Sequence, residues 1–191
     1  MAFFILFILF IIVIIFIFSS RKFSPIPYFP SQPVDLAKIV KALDLKNDQT
    51  VVDLGAGDGE IIFAGATTAL EKKLNTKFVG VEINPVLLLI MFMRRFFHSN
   101  KKNIKIMYGD IFKPGFIDFI DLTDFMTIYL YISPWYIEPV INNFKLALSK
   151  HSELKGLKIK NFDVISYMYP VKSLKSKQRI IQGKNSIFIY T

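Results

Sequence analysis

The chain opens with an unbroken run of apolar side chains. Residues Ala2 to Phe18 carry no charged or polar group, and Arg21 and Lys22 follow shortly after the run. At about 1.5 Å of rise per residue, a helix of this length nearly crosses a hydrocarbon core of roughly 30 Å. The pattern predicts a single-pass transmembrane anchor over residues 2–19.

Two other interpretations of this run are weaker. A cleaved signal peptide would have a basic segment before the run and a small-x-small cleavage site after it, and neither is present. A buried helix that is apolar all round would need a large core to enclose it. The basic pair Arg21 and Lys22 predicts, by the positive-inside rule, that the rest of the chain faces the cytoplasm.

Four prolines between Phe23 and Pro33 interrupt the pattern after the anchor. Proline fixes its own φ angle and restricts the residue before it, so this stretch predicts an extended, stiff linker over residues 20–33. The domain proper then covers residues 34–191.

Within that domain, short apolar runs alternate with segments of helical periodicity. The predicted strands are Thr50–Leu54, Phe78–Val81, Ile104–Tyr108, Phe125–Tyr131 and Asp163–Tyr169, followed by a closing pair at Arg179–Ile181 and Ile187–Tyr190. The first predicted helix starts at Pro33, and three further helices are predicted over Asp58–Leu70, Pro85–Phe97 and Tyr136–Leu148. This alternation predicts an α/β fold with a mostly parallel sheet covered by helices on both faces.

The helix predicted from Pro85 is unusually apolar, and we interpret it as a core helix, with membrane contact as the alternative.

The overall composition of the chain adds little to the predicted fold. The net charge of +9 is concentrated after Lys150, where a lysine-rich solvated surface and attraction to anionic lipid or an acidic partner are both open. Cysteine is absent, and His98 and His151 lack ligand spacing, so no metal site is predicted.

The candidate chemistry begins where the first strand of the domain meets a glycine-rich turn. The run Asp53-Leu54-Gly55-Ala56-Gly57-Asp58-Gly59 has glycines at alternate positions, flanked by Asp53 and Asp58. Glycine permits positive φ angles and close approach of a ligand to the main chain. Dinucleotide enzymes prefer Gly-x-Gly-x-x-Gly, which cradles a diphosphate. Two carboxylates beside the turn disfavour a diphosphate, and hence a nicotinamide oxidoreductase. They favour a positively charged ligand.

Two further acids follow the next two strands. Glu82 ends the second strand, 23 positions after Gly59, where an acid accepts hydrogen bonds from ribose hydroxyls. Asp110 follows the third strand, where it can accept from an adenine amino group while Ile111 lies against the ring. The carboxyl ends of parallel strands meet at one edge of the sheet, so these acids are expected to share a site.

These motifs resemble those of class I S-adenosylmethionine-dependent methyltransferases. The resemblance implies a Rossmann-like fold with a seven-stranded sheet whose last strand is antiparallel, and S-adenosyl-L-methionine as cofactor. The predicted cofactor-binding residues are Asp53, Gly55, Ala56, Gly57, Asp58, Glu82, Ile83, Asn84, Asp110 and Ile111.

A narrower resemblance rests on four segments that occur in order: Tyr28-Phe29-Pro30-Ser31, Val81-Glu82-Ile83-Asn84-Pro85, Tyr129-Leu130-Tyr131-Ile132-Ser133-Pro134 and Val164-Ile165-Ser166-Tyr167-Met168-Tyr169-Pro170. They are similar to small membrane-anchored protein-lysine methyltransferases that modify mitochondrial ATP synthase and adenine nucleotide translocase subunits. The chain departs from that family at Val171-Lys172-Ser173-Leu174, where the relatives usually carry a tryptophan.

The residues predicted to line a substrate site are Tyr28, Tyr131, Ser133, Pro134 and Trp135. The run from Ser133 to Tyr136 loosely resembles the Asn/Asp/Ser-Pro-Pro-Tyr motif of enzymes that methylate base amines, with Trp135 in place of the second proline. A plain helix start is the alternative for this run, and no residue stands out as a general base.

The sequence thus predicts methyl transfer to a lysine of a protein near the membrane, with lipid contacting the N-terminal helix. Methylation of a small molecule, a lipid or a nucleic-acid base is an alternative. A membrane-tethered binding protein without activity is another. A nucleic-acid partner is not expected, because the basic tail lacks interleaved aromatic residues.

Overall fold

A seven-stranded sheet forms the centre of the protein in a computed structural model that describes residues 1–120, 123, 125–155 and 162–191. The strands are β1 Gln49–Leu54, β2 Lys77–Glu82, β3 Ile104–Tyr108, β4 Phe125–Leu130, β5 Asp163–Tyr167, β6 Gln178–Gln182 and β7 Ser186–Tyr190. Their order is β3-β2-β1-β4-β5-β7-β6, and β7 runs antiparallel to both of its neighbours. The predicted mostly parallel sheet with an antiparallel last strand is confirmed.

Five α-helices accompany the sheet in the described part of the chain: α1 Ala2–Ser19, α2 Pro33–Ala42, α3 Glu60–Glu71, α4 Pro85–Phe97 and α5 Pro134–Lys155. Short 3-10 helices cover Lys101–Asn103, Pro114–Phe119 and Lys172–Lys177. Part of the basic C-terminal stretch, residues 156–161, lies outside the described residues.

Some boundaries differ from those predicted. Helix α5 begins at Pro134 rather than Tyr136 and continues to Lys155, well past the predicted end at Leu148. Proline at the first helical position needs no hydrogen-bond partner for its missing N–H, so it starts the helix readily. Strand β5 ends at Tyr167, because Met168 turns the chain with a φ of 72°.

The core lies in two layers, one on each face of the sheet. All six residues of β1 are buried, as expected for a central strand covered on both sides. Val52 and Leu54 pack with α5 on one face. Val51 packs with α2, α3 and α4 on the other face. Alternation of side chains along the strand therefore divides the core between the two helical layers.

Helix α2 is held against the far edge of the sheet by a buried carboxylate. Asp35 is 0% exposed and accepts hydrogen bonds from the Tyr167 hydroxyl at 2.8 Å and from the backbone N–H groups of Lys184 and Asn185 at 2.7 and 2.9 Å. Burial alone would raise the pKa of Asp35, but these donors and nearby Lys38 hold it below its usual value. The turn between β6 and β7 thus docks on α2.

Helix α1 has the length and composition of a membrane span. Its 18 residues have a mean hydropathy of 3.4, and none of them is buried against the rest of the protein. A signal sequence would satisfy the same two criteria. Helix α1 contacts helix α4. Ile14, Ile17 and Phe18, in the second half of α1, are partly buried.

Candidate functional site

The candidate site is a crevice at the point where the order of the strands reverses. Strand β1 pairs with β2 on one side and β4 on the other, so the loops after β1 and β4 diverge at their carboxyl ends. Open α/β sheets bind ligands at this position. The crevice is lined by Ser24, Pro25, Ile26, Pro27, Tyr28, Phe29, Pro30, Ser31, Asp53, Gly55, Ala56, Gly57, Asp58, Glu60, Ile61, Val81, Glu82, Ile83, Leu87, Gly109, Asp110, Ile111, Phe112, Tyr131 and Ile132.

The glycine turn after β1 forms the floor of the crevice. Gly55, Gly57 and Gly59 all have positive φ angles, of 81°, 59° and 80°. The N–H groups of Gly55 and Ala56 donate to the Val81 carbonyl, each at 3.0 Å, which ties the turn to β2. A Cβ atom at position 57 would lie 2.5 Å from Cε2 of the Tyr28 ring. Only glycine fits beneath this ring.

Glu82 reaches across the turn from the end of β2. Its Oε2 atom accepts from the Gly57 N–H, and its Oε1 atom accepts from the N–H groups of Ile83 and Asn84, all at 2.8 Å. Burial raises the pKa of Glu82 above its usual value, although these three donors act in the opposite direction. The carboxylate is therefore fixed in position while one edge still faces the crevice.

Asp53 lies beneath the turn and is 3% exposed. Burial raises its pKa well above the usual value, and the neighbouring charges of Glu82 and Asp58 raise it further. A buried carboxyl with two acidic neighbours favours its neutral form. A cationic group entering the crevice would shift this balance toward the carboxylate.

Asp58 has a partner that the sequence did not predict. It lines the crevice, but its Oδ2 atom is 2.6 Å from Nη1 of Arg94 on α4, which also donates to the Asp58 carbonyl at 2.9 Å. The Arg94 guanidinium lies 4.7 Å from the centroid of the Phe63 ring. The Asp58 charge is thus paired within the protein, a contact on which the sequence made no prediction.

Tyr28 completes this arrangement from the proline-rich segment. Its hydroxyl hydrogen-bonds to Asp58, and burial followed by the Asp58 charge raises the pKa of Tyr28 to about 12. The phenol therefore stays protonated and donates to the carboxylate at neutral pH. One chain of contacts links Tyr28, Asp58 and Arg94 across the mouth of the turn.

The segment from Ser24 to Ser31 forms a whole wall of the crevice, which a prediction of a simple spacer did not anticipate. Ser31 is 8% exposed, and its Oγ atom lies 3.1 Å from the hydroxyl of Tyr129 on β4. This buried hydrogen bond fixes the end of the segment to the centre of the sheet. The serine of the Tyr28–Ser31 motif thus has a structural partner 98 residues away.

The loop after β3 supplies the side of the crevice opposite the proline-rich wall. Asp110 turns this loop by accepting from the Phe112 N–H at 3.0 Å, and its other oxygen is 3.5 Å from the exposed ammonium of Lys113. Ile111 is 6% exposed and contributes an apolar surface to the crevice. An acid and a flat apolar wall therefore stand side by side here.

Some predicted residues lie elsewhere. Asn84 is not part of the lining; its Oδ1 caps α4 by accepting from the N–H groups of Val86 and Leu87 at 2.9 and 3.3 Å. Ser133, Pro134 and Trp135 are also outside the lining; Pro134 and Trp135 begin α5, and Ser133 directly precedes it. Trp135 is 75% exposed. Of the substrate candidates, the structure brings Tyr28 and Tyr131 into the crevice.

Tyr131 stands at the crevice end of β4. Its ring meets that of Tyr167 edge to face with centroids 4.9 Å apart, and its hydroxyl lies 3.7 Å from the Met168 sulfur. Burial raises the pKa of Tyr131, with a contribution from Tyr169. Tyr28 and Tyr131 therefore both line the crevice, and both have pKa values raised by burial.

Comparison with known proteins supports the same fold. A scan against protein-family models finds no match, and a search of curated proteins finds none either. Solved structures do match. An RNA methyltransferase from Salinibacter ruber, in complex with S-adenosyl-L-homocysteine, aligns with a TM-score of 0.57 at 18% identity, over 85% of this chain and 93% of that one.

Two further structures align over similar lengths. A precorrin-6y C5,15-methyltransferase from Geobacter metallireducens has a TM-score of 0.55 at 15% identity, over 85% of this chain and 91% of that one. A precorrin-8w decarboxylase from Methanobacterium thermoautotrophicum has a TM-score of 0.54 at 15% identity, over 89% and 95%. The protein has the Rossmann-like fold of class I methyltransferases.

Proposed function

We propose that the protein binds S-adenosylmethionine in the switch-point crevice and transfers its methyl group. The observation that carries this proposal is the meeting of three features at one edge of the sheet: the glycine turn after β1, Glu82 at the end of β2 and Asp110 after β3. Open α/β sheets bind nucleoside ligands at this position.

The polar groups of the crevice suit the parts of such a cofactor. A carboxylate offers about four acceptor positions. Three of those on Glu82 are taken by backbone N–H groups, which leaves one for a ribose hydroxyl. Asp110 is placed for an adenine amino group beside the Ile111 wall. Without a ligand the Asp53 carboxyl favours its neutral form, because its pKa is raised, and it would ionise next to the cationic methionine moiety of the cofactor.

The cofactor supplies a methyl group on a sulfonium, which is electrophilic enough that the protein needs no nucleophile of its own. The work of the chain is then alignment of the acceptor, which accounts for up to about 7–11 kcal/mol of a barrier in well-oriented reactions. The Tyr28 ring lies against Gly57 and the proline-rich wall lines the crevice, so both would limit the access of water to the turn. Tyr131 also lines the crevice, and its hydroxyl would orient an acceptor by exchanging its weak contact with the Met168 sulfur for one with the acceptor.

The acceptor that we propose is a lysine of a protein in the same membrane as α1, with the domain on the cytoplasmic side. Helix α1 ends at Ser19 and the crevice wall begins at Ser24, so four residues separate them, and the five Cα-to-Cα steps reach at most about 18 Å. A lysine ammonium must lose its proton before methyl transfer. Desolvation of the ammonium beside the proline-rich wall would favour that loss.

Labelled S-adenosylmethionine, the full chain and a membrane extract containing protein, lipid and RNA together test this proposal. We expect label in a protein band that yields methyl-lysine on hydrolysis, and loss of that label with Glu82→Gln. Glu71→Gln, which alters an exposed carboxyl on α3, is the matched control and should retain it. Label in lipid or RNA alone would overturn the lysine acceptor but keep the methyltransferase. Cofactor binding without any label would favour a binding protein.

A lipophilic small molecule is the second candidate acceptor. It is favoured by the apolar side chains that face the crevice, among them Ile26, Ile83 and Ile132. In the same assay this candidate predicts label that extracts into organic solvent and survives protease treatment.

A further inference from the structure

Helix α4 presents apolar residues on two opposite sides. Leu87, Leu88 and Met91 are buried and join the core of the domain. The opposite side carries six large apolar residues that are exposed: Leu89 at 60%, Ile90 at 38%, Phe92 at 49%, Met93 at 58%, Phe96 at 69% and Phe97 at 81%. A helix with large apolar residues on opposite sides is normally covered on both by protein or lipid. The prediction of a core helix therefore accounts for one side of α4 only.

Helix α4 lies next to the candidate membrane anchor. Helix α4 is in contact with α1, and its six apolar residues remain exposed although α1 is present. Contiguous exposed apolar surface of this kind marks a site of interaction. Any bilayer that surrounds α1 would therefore lie close to α4, whose exposed side is apolar.

The charged residues in α4 and in the loop after it are all basic. The stretch from Pro85 to Lys105 contains five basic residues and no acid. Arg94 and Arg95 turn inward, toward Asp58 and the Ile104 carbonyl. Lys101 instead stands beside the exposed side, with its ammonium 5.5 Å from the centroid of the Phe96 ring. Exposed aromatic rings bordered by lysine match the interface of an anionic bilayer, and an acidic rim that would repel it is absent from this stretch.

We propose that the outer side of α4 inserts into the headgroup region of the bilayer beside α1. The inference rests on the proposed anchoring of α1 and adds a second contact that fixes how the domain stands on the membrane. Leu87 at the start of α4 lines the crevice, and Arg94 bonds to the glycine turn, so α4 connects this contact directly to the site. The crevice would thereby keep one orientation toward acceptors in the same membrane.

The absence of cysteine makes the test direct. Single-cysteine variants of the full chain, labelled with an environment-sensitive NBD fluorophore, are placed in vesicles of mixed neutral and anionic lipid. Phe96→Cys reports on the outer side of α4, and Leu9→Cys reports on the middle of α1. Leu146→Cys, 68% exposed on α5 across the sheet, is the matched control. Lipids that carry a quencher either near the headgroup or near the end of the acyl tail then measure the depth of each fluorophore.

At Phe96→Cys we expect a blue shift relative to Leu146→Cys and stronger quenching by the shallow lipid than by the deep one. Leu9→Cys should show the reverse depth preference. Aqueous emission at Phe96→Cys with a buried Leu9→Cys would overturn the α4 contact and leave the anchor intact. Aqueous emission at both would overturn the anchor as well. A disulfide dimer of unlabelled Phe96→Cys with no lipid quenching would assign this side to a second copy of the chain instead.

Discussion

At the scale of single residues, the site depends on side chains whose environments depart from those of an ordinary surface. Asp53 is the clearest case, because burial raises its pKa well above the usual value. A carboxyl whose pKa is higher in the folded than in the unfolded state stabilises the fold only at low pH. That stability is lost as pH rises through the folded pKa.

Asp53→Asn should therefore raise the free energy of unfolding of the ligand-free protein at pH 7.5 while weakening the binding of S-adenosylmethionine. Urea unfolding over a pH series and calorimetric titration measure the two effects. The affinity of the parent should also increase with pH over the window above the ordinary aspartate value, because the cationic ligand favours ionised Asp53. An Asp53→Asn variant that is less stable than the parent and binds S-adenosylmethionine with the same affinity would contradict this account.

Gly57 tests the geometry of the turn. Gly57→Ala places a side chain at a φ of 59° and against the Tyr28 ring, whereas Gly55→Ala at a φ of 81° meets its nearest atom only at 3.4 Å. Left-handed backbone costs an L-residue about 1–2 kcal/mol. We expect Gly55→Ala to lose about that amount of stability and Gly57→Ala to lose more. When Tyr28→Ala is the reference protein, adding Gly57→Ala should lower the free energy of unfolding only by the amount that Gly55→Ala costs the parent.

Sequence alone located most of the lining residues at the strand ends, because glycines and acids that follow apolar strands are local signals. It missed Arg94, whose pairing with Asp58 spans 36 residues and leaves no mark in the pattern. It placed Ser133 to Trp135 at the site, although the direction of the chain after β4 depends on how α5 packs. Apart from Tyr28, the wall from Ser24 to Ser31 was missed for the same reason, since prolines predict stiffness but not the surface on which the segment packs.

At the scale of elements, the hydrophobic pattern predicted the strands and helices well, because buried strands and amphipathic helices have distinct periods. The errors lie at ends. Strand β5 stops two residues early where Met168 adopts a positive φ, and tertiary contacts rather than propensity set such positions. The pattern also could not tell which side of α4 is buried, since large apolar residues occur on both sides.

The docking of α2 on the β6–β7 turn gives a prediction with a defined pH dependence. The pKa of Asp35 is lowered by its donors, so its stabilisation is present above the unfolded value of about 3.9 and is lost as pH falls through the folded value. Asp35→Asn should lower the free energy of unfolding at pH 7 by about 1.5–3 kcal/mol. Its acid-unfolding profile should be flatter than that of the parent, and an equally steep profile would contradict the assignment.

At the scale of the whole molecule, a short tether joins a candidate membrane span to the crevice wall. A flexible insert of about 20 residues between Arg21 and Lys22 would lengthen this tether roughly fivefold. Effective concentration falls with about the −3/2 power of length, so labelling of a membrane acceptor should fall by up to about tenfold. Cofactor affinity should be unchanged, and undiminished labelling would argue for an acceptor that diffuses freely.

Calorimetric titration of the full chain with S-adenosylmethionine tests the central claim most directly. We predict one site per chain, and a loss of affinity of about 10- to 100-fold in Glu82→Gln, as expected when a hydrogen bond to a charged group is removed. Glu71→Gln should bind like the parent. Failure of the parent to bind, or equal affinity in Glu82→Gln, would contradict the placement of the cofactor at the glycine turn.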